Sequence, residues 1–104
     1  MTGTETVLLV EDEAAVRVLV RRVLDRNGYR VLEASSGSDA LQLLESNSEP
    51  IHMLLTDVIM PGMSGRELAD RLAPEYPRLR ILYMSGYTDE AIVHHGVLDP
   101  GIAL

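Results

Sequence analysis

Apolar residues in this chain fall into two alternating patterns, short unbroken runs and longer stretches at helical spacing. The runs Thr6-Val7-Leu8-Leu9-Val10 and Ile51-His52-Met53-Leu54-Leu55-Thr56 are rich in Val, Leu and Ile and do not alternate with polar residues. Strands buried on both faces of a parallel sheet have this character. Between them, Ala15, Val16, Leu19, Val20, Val23 and Leu24 recur at helical spacing. Asp12 or Glu13 can cap that helix, and Asn27-Gly28 supplies the left-handed exit. Tyr29 to Ala34 alternates and predicts an outer strand, followed by a loop over Ser35-Ser36-Gly37-Ser38 that ends in a cap. Ala40, Leu41, Leu43 and Leu44 predict a short second helix, which dissolves by Ser46 to Pro50.

The second half repeats the alternation. The third strand ends at Asp57, and a loop runs from Val58 to Met63. Ser64-Gly65-Arg66-Glu67 has capping-box spacing, so a third helix starts at Ser64 and ends by Pro74 and Pro77. Arg80-Ile81-Leu82-Tyr83-Met84 is a fourth strand. Thr88-Asp89-Glu90 caps a fourth helix running to His95, and Ile102-Ala103-Leu104 reads as the start of a fifth strand. Helices of this length between strands imply right-handed parallel crossovers and an open α/β sheet.

Two strands end in acid. Glu11 and Asp12 follow the first run and Asp57 closes the third strand. Ligands of open α/β sheets bind at the carboxyl ends of the strands. Three carboxylates in one crevice repel each other unless a cation joins them. The simplest chemistry is a divalent metal with oxygen ligands beside a carboxylate that reacts.

Composition narrows the classes. With 104 residues there is room for one modest domain, and 46% hydrophobic residues suffice for a packed core. Aromatics make up 4%, without Phe or Trp, so the core is aliphatic. A net charge of −7 opposes direct nucleic-acid binding. The absence of Cys excludes disulfides, thiolate metal sites and Cys nucleophiles. No apolar run is long enough for a membrane span and the N-terminus lacks signal-peptide character, so a cytoplasmic domain without membrane contact is expected. His94-His95 are adjacent and point apart on a helix, which fits solvated surface better than a metal site.

The segments V-L-L-V-E-D-E, L-L-T-D-V-I-M-P-G-M-S-G and I-L-Y-M-S-G-Y-T together resemble the response-regulator receiver domains of two-component signalling, over nearly the whole chain. The resemblance implies a flavodoxin-like three-layer α/β/α fold with strand order 2-1-3-4-5. It implies that Asp57 is the phospho-acceptor, and that Glu11, Asp12, Asp57 and the backbone carbonyl of Ile59 hold Mg²⁺. It gives Ser85 the role of the hydroxyl that binds the phosphoryl group and Tyr87 that of the aromatic switch. The implied donor is a histidine kinase or phosphotransfer domain, and phosphorylation would alter the fourth-helix face. The opening G-T-E-T-V-L-L-V-E-D-E and the M-S-G-Y-T segment look like receivers attached to hybrid sensor histidine kinases.

One departure stands out. Receivers carry a Lys at the end of the fifth strand, whereas all nine basic residues here are Arg. The expectation is a receiver over residues 1–104, truncated at its C-terminus, with last strand and helix incomplete or missing. A dimer through the exposed sheet edge or the fourth-helix face is a further expectation. The alternative activity is a Mg²⁺-dependent aspartyl-phosphate phosphohydrolase of the haloacid-dehalogenase type. That family needs a second Asp two residues after the nucleophile, where this chain has Ile59. A flavodoxin is a third reading, opposed by the negative charge of Glu11-Asp12-Glu13 where a phosphate would sit.

Overall fold

The computed structural model describes residues 5–47 and 49–84. Seven elements follow in order: β1 (Thr6–Val10), α1 (Ala14–Arg26), β2 (Arg30–Ala34), α2 (Gly37–Glu45), β3 (Met53–Asp57), α3 (Gly65–Leu72) and β4 (Arg80–Met84). The strands form one parallel sheet in the order β2-β1-β3-β4, as expected for these four. The fourth helix and fifth strand expected from the sequence, with His94 and His95, lie outside the described residues. Among the described residues no helix is long and apolar enough to cross a membrane.

The unbroken apolar runs occupy the middle of the sheet. All five β1 residues are buried, and four of the five in β3. Successive side chains on a strand point to opposite faces, and this splits the core in two. Leu8, Val10 and Leu54 pack with Ala40 of α2 and Leu68, Ala69 and Leu72 of α3. Val7, Leu9, Leu55 and Leu82 face the other way, where Val20 and Leu24 of α1 cover them. The result is three layers, with α1 on one side and α2 and α3 on the other. Each fully buried Leu contributes roughly 1.5–3 kcal/mol by leaving water.

Helix starts match the sequence unevenly. Ser64 caps α3 with the full reciprocal pair: its hydroxyl accepts from the Glu67 N–H, and the Glu67 carboxylate accepts from the Ser64 N–H, both at 3.1 Å. The α2 cap is Ser36, two residues ahead of the expected end of the loop, and its hydroxyl accepts from the Asp39 N–H at 3.0 Å. Glu13 occupies the cap position of α1, but its side chain makes no cap bond. Gly28 takes the left-handed exit with φ 86°. The apolar arc of α1 is wider than its contact with the sheet. Val20 and Leu24 pack inward, whereas Leu19 is 63% and Val23 52% exposed.

Candidate metal centre

β1 and β3 are neighbours, with Val10 opposite Thr56. The next residue on each strand is acidic, so this register places Glu11 beside Asp57 at the carboxyl edge of the sheet. Asp12 begins the turn into α1. Ligand oxygens of Glu11, Asp12 and Asp57 all lie within 4.8 Å of one another. Glu11 is 2% exposed and Asp57 7%, while Asp12 opens to solvent.

The backbone around the cluster is tightly held. The Glu11 N–H donates to the Ala34 carbonyl at 3.1 Å, extending the β1·β2 ladder by one rung. The Glu13 N–H donates to Glu11 Oε2 at 2.9 Å, which aims that carboxylate across the turn. The buried Thr56 hydroxyl donates to the Asp57 carbonyl at 3.1 Å. Beyond β3 the Gly65 N–H donates to the Val58 carbonyl at 2.9 Å, closing the loop onto α3. This leaves room only for Gly: a Cβ at residue 65 would lie 2.0 Å from the Asp57 carbonyl oxygen.

The electrostatics of the cluster favour a bound cation. Among the described residues Asp57 Oδ1 is buried without a hydrogen-bond partner, an expensive state for a carboxylate oxygen. Burial pushes the Glu11 carboxyl up from its ordinary 4.5 to about 8, and the neighbouring Asp57 carboxylate adds to the rise. Burial likewise raises Asp57, with Asp12 and Glu13 adding repulsion, while Glu11 hydrogen bonding works the other way. Three oxygen donors, a formal charge of −3 and an unpartnered buried oxygen fit a small, hard divalent cation such as Mg²⁺.

The response regulator receiver domain family matches residues 7–102. The chain belongs to that family. It is therefore a receiver domain of two-component signalling. Its receiver sequence is 39% identical over 95 residues to the sensor kinase CckA of Brucella abortus strain 2308, covering 91% of this chain and 10% of CckA. The chain thus spans about a tenth of that relative's length. The receiver domain of a hybrid histidine kinase CckA superposes with TM-score 0.72 at 40% identity, covering 81% of this chain and 78% of that one. The response regulator TrrA of Thermotoga maritima, solved with Mg²⁺-BeF, gives TM-score 0.69 at 28% identity over 81% of this chain and 71% of TrrA. TrrA has also been solved in complex with the histidine kinase ThkA, with TM-score 0.68 and the same identity and coverage.

Of the sequence-predicted site residues, the receiver fold brings Glu11, Asp12 and Asp57 together. Ile59 lies in the loop two residues beyond Asp57 with its side chain 63% exposed. Ser85 and Tyr87 lie outside the described residues. Sequence reading missed two supports of the site. Gly65 is legible only once α3 is known to press on the end of β3. Arg17, whose guanidinium reaches the Glu11 carbonyl, is legible only once the return of α1 over its own first turn is known.

Proposed function

We propose that this receiver takes a phosphoryl group from the phosphohistidine of a histidine kinase or phosphotransfer domain onto Asp57, with Mg²⁺ held by Glu11, Asp12, Asp57 and the Ile59 carbonyl. The observation that carries the reading is the buried Asp57 Oδ1, unpartnered among the described residues and within reach of two more carboxylates. TrrA, solved with Mg²⁺-BeF and with a histidine kinase, supports the same chemistry by similarity.

In this reading a carboxylate oxygen of Asp57 attacks phosphorus as the P–N bond to the donor imidazole breaks. The bond electrons leave with the imidazole, which takes up a proton, and Asp57 becomes an acyl phosphate. Two anions must meet for this. Bound Mg²⁺ would offset the charge on the transferring oxygens and favour in-line approach. The chain's own part is positional. Thr56 and Gly65 fix the Asp57 backbone from either side, and the sheet keeps the carboxylate at its rim.

By the resemblance, Ser85 donates its hydroxyl to the phosphoryl group and Tyr87 turns inward behind it, altering the fourth-helix face. The whole chain acts as one receiver unit. The likeness to CckA supports a place within a hybrid sensor histidine kinase.

The test is intact-mass analysis after incubation with acetyl phosphate. One phosphoryl group should add in the presence of Mg²⁺, and none after chelation or in Asp57→Ala. Addition that persists in Asp57→Ala would refute the assignment.

A further inference from the structure

Arg17 sits one turn into α1, yet its guanidinium reaches back to the start of the acidic turn. Nη1 donates to the Glu11 carbonyl oxygen at 2.6 Å, and Nε lies 3.3 Å from Glu33 Oε1 on β2. Glu33 also binds the Arg21 guanidinium, which in turn lies 3.5 Å from Asp25. The Arg17 side chain is only 20% exposed, so solvent weakens these bonds less than it would an open surface pair.

The Glu11 carbonyl belongs to the peptide that joins the two acids of the turn. Its plane sets the direction in which the chain leaves β1, and so where the Asp12 side chain points. The Glu11 N–H is already fixed to Ala34 and its carboxylate to the Glu13 N–H. Arg17 adds the bond on the carbonyl side. We infer that Arg17 is a positioning residue for the metal site: it fixes the Glu11–Asp12 peptide and thereby aims both carboxylates, with Glu33 anchoring its guanidinium. This inference rests on the reading that Glu11 and Asp12 hold Mg²⁺.

The sign of the effect separates positioning from charge. A guanidinium near a cation site repels the cation, so deleting it on charge grounds alone tightens Mg²⁺ binding. Loss of aim weakens it. Mg²⁺ alone is titrated into the full chain while the amide resonances of Asp12 and Glu13 are followed by NMR. In Arg17→Met, which keeps the aliphatic stem, the Kd should rise about fivefold, the factor one ordinary hydrogen bond contributes. Arg17→Lys keeps the charge but cannot span both partners, and its Kd should rise about threefold.

Thermal unfolding without metal accompanies each titration. If Arg17→Met fails to fold, the lysine variant carries the test. A Kd unchanged or lowered in the folded variants overturns the inference. Asp12→Asn separates the two levels of the reading. Binding lost there but intact in both Arg17 variants sinks the role of Arg17 alone, and a wild-type chain that does not bind Mg²⁺ sinks the metal site with it.

Discussion

Gly65→Ala adds one methyl group at the point where α3 meets the end of β3. The added carbon would lie 2.0 Å from the Asp57 carbonyl oxygen and 3.0 Å from both the Asp57 carbonyl carbon and Thr56 Cγ2. A carbon and a carbonyl oxygen approach to about 3.3 Å in ordinary close contact. Strand and helix must therefore part by roughly 1.3 Å, taking 3.3 as the contact distance. The obstacle is backbone, which cannot swing aside as a side chain can. Overpacking of this kind costs about 1–3 kcal/mol, and because Gly65 opens α3 rather than lying in its interior, little helix propensity offsets it. The net loss is about 1–3 kcal/mol, or roughly 0.5–1.5 M in urea midpoint for a domain of this size. The atom displaced belongs to Asp57, so Mg²⁺ affinity should fall together with the midpoint. Gly62→Ala is the matched control. Residue 62 has φ 80° and nothing within 4 Å of an added Cβ, so the cost there is backbone strain alone. That variant should lose about 1–2 kcal/mol with Mg²⁺ affinity unchanged. Equilibrium urea unfolding and the NMR Mg²⁺ titration read both quantities. A Gly65→Ala protein with wild-type midpoint and affinity would refute the close approach and the coupling drawn from it.

Two further predictions concern charge and capping. Glu11 titrates near 4.5 unfolded and about 8 folded, so the unfolded chain binds fewer protons in between. Metal-free stability should be greatest below pH 4.5 as far as Glu11 is concerned, and be lost as pH rises through about 8. Mg²⁺ affinity should rise over the same interval as the cation displaces that proton. Glu11→Gln should flatten both trends, and trends of wild-type steepness in that variant would contradict the assignment to Glu11. Ser64→Ala removes the acceptor for the Glu67 N–H and should cost about 1 kcal/mol. Thermal melts should register it as a fall of roughly 4–8 °C, and no change would mean the capping box contributes nothing to α3.

The sequence disclosed what depends on short-range pattern. β1 and β3 were legible because central parallel strands are buried on both sides and carry no polar alternation. The α3 start was legible because Ser64 and Glu67 satisfy each other three residues apart. The pairing of Glu11 with Asp57 followed from two strands ending in acid at adjacent positions of the sheet. Where several residues could serve equally, pattern was insufficient. Three serines lie around the start of α2, Ser35, Ser36 and Ser38, and spacing alone did not say that Ser36 would cap it with Ser38 inside the helix. Six apolar residues spread around α1 did not say that Val20 and Leu24 would face the sheet while Leu19 and Val23 stayed exposed. At the start of that helix, Glu13 holds the cap position while its backbone, not its carboxylate, makes the bond to Glu11. The tie from Arg17 to Glu33 needs β2 beside β1, a long-range fact that no local spacing encodes.

The β1·β3 pairing also sets a timetable for the nascent chain. The acidic turn leaves the ribosome first, and β2, α2 and the rest of the crossover must emerge before its partner strand arrives. Until then Glu11 and Asp12 are ordinary wet carboxylates with no reason to attract a metal strongly. On the proposed metal reading, cation capture would therefore come late in biogenesis, and a chain halted before Asp57 would carry only two of the three clustered carboxylates.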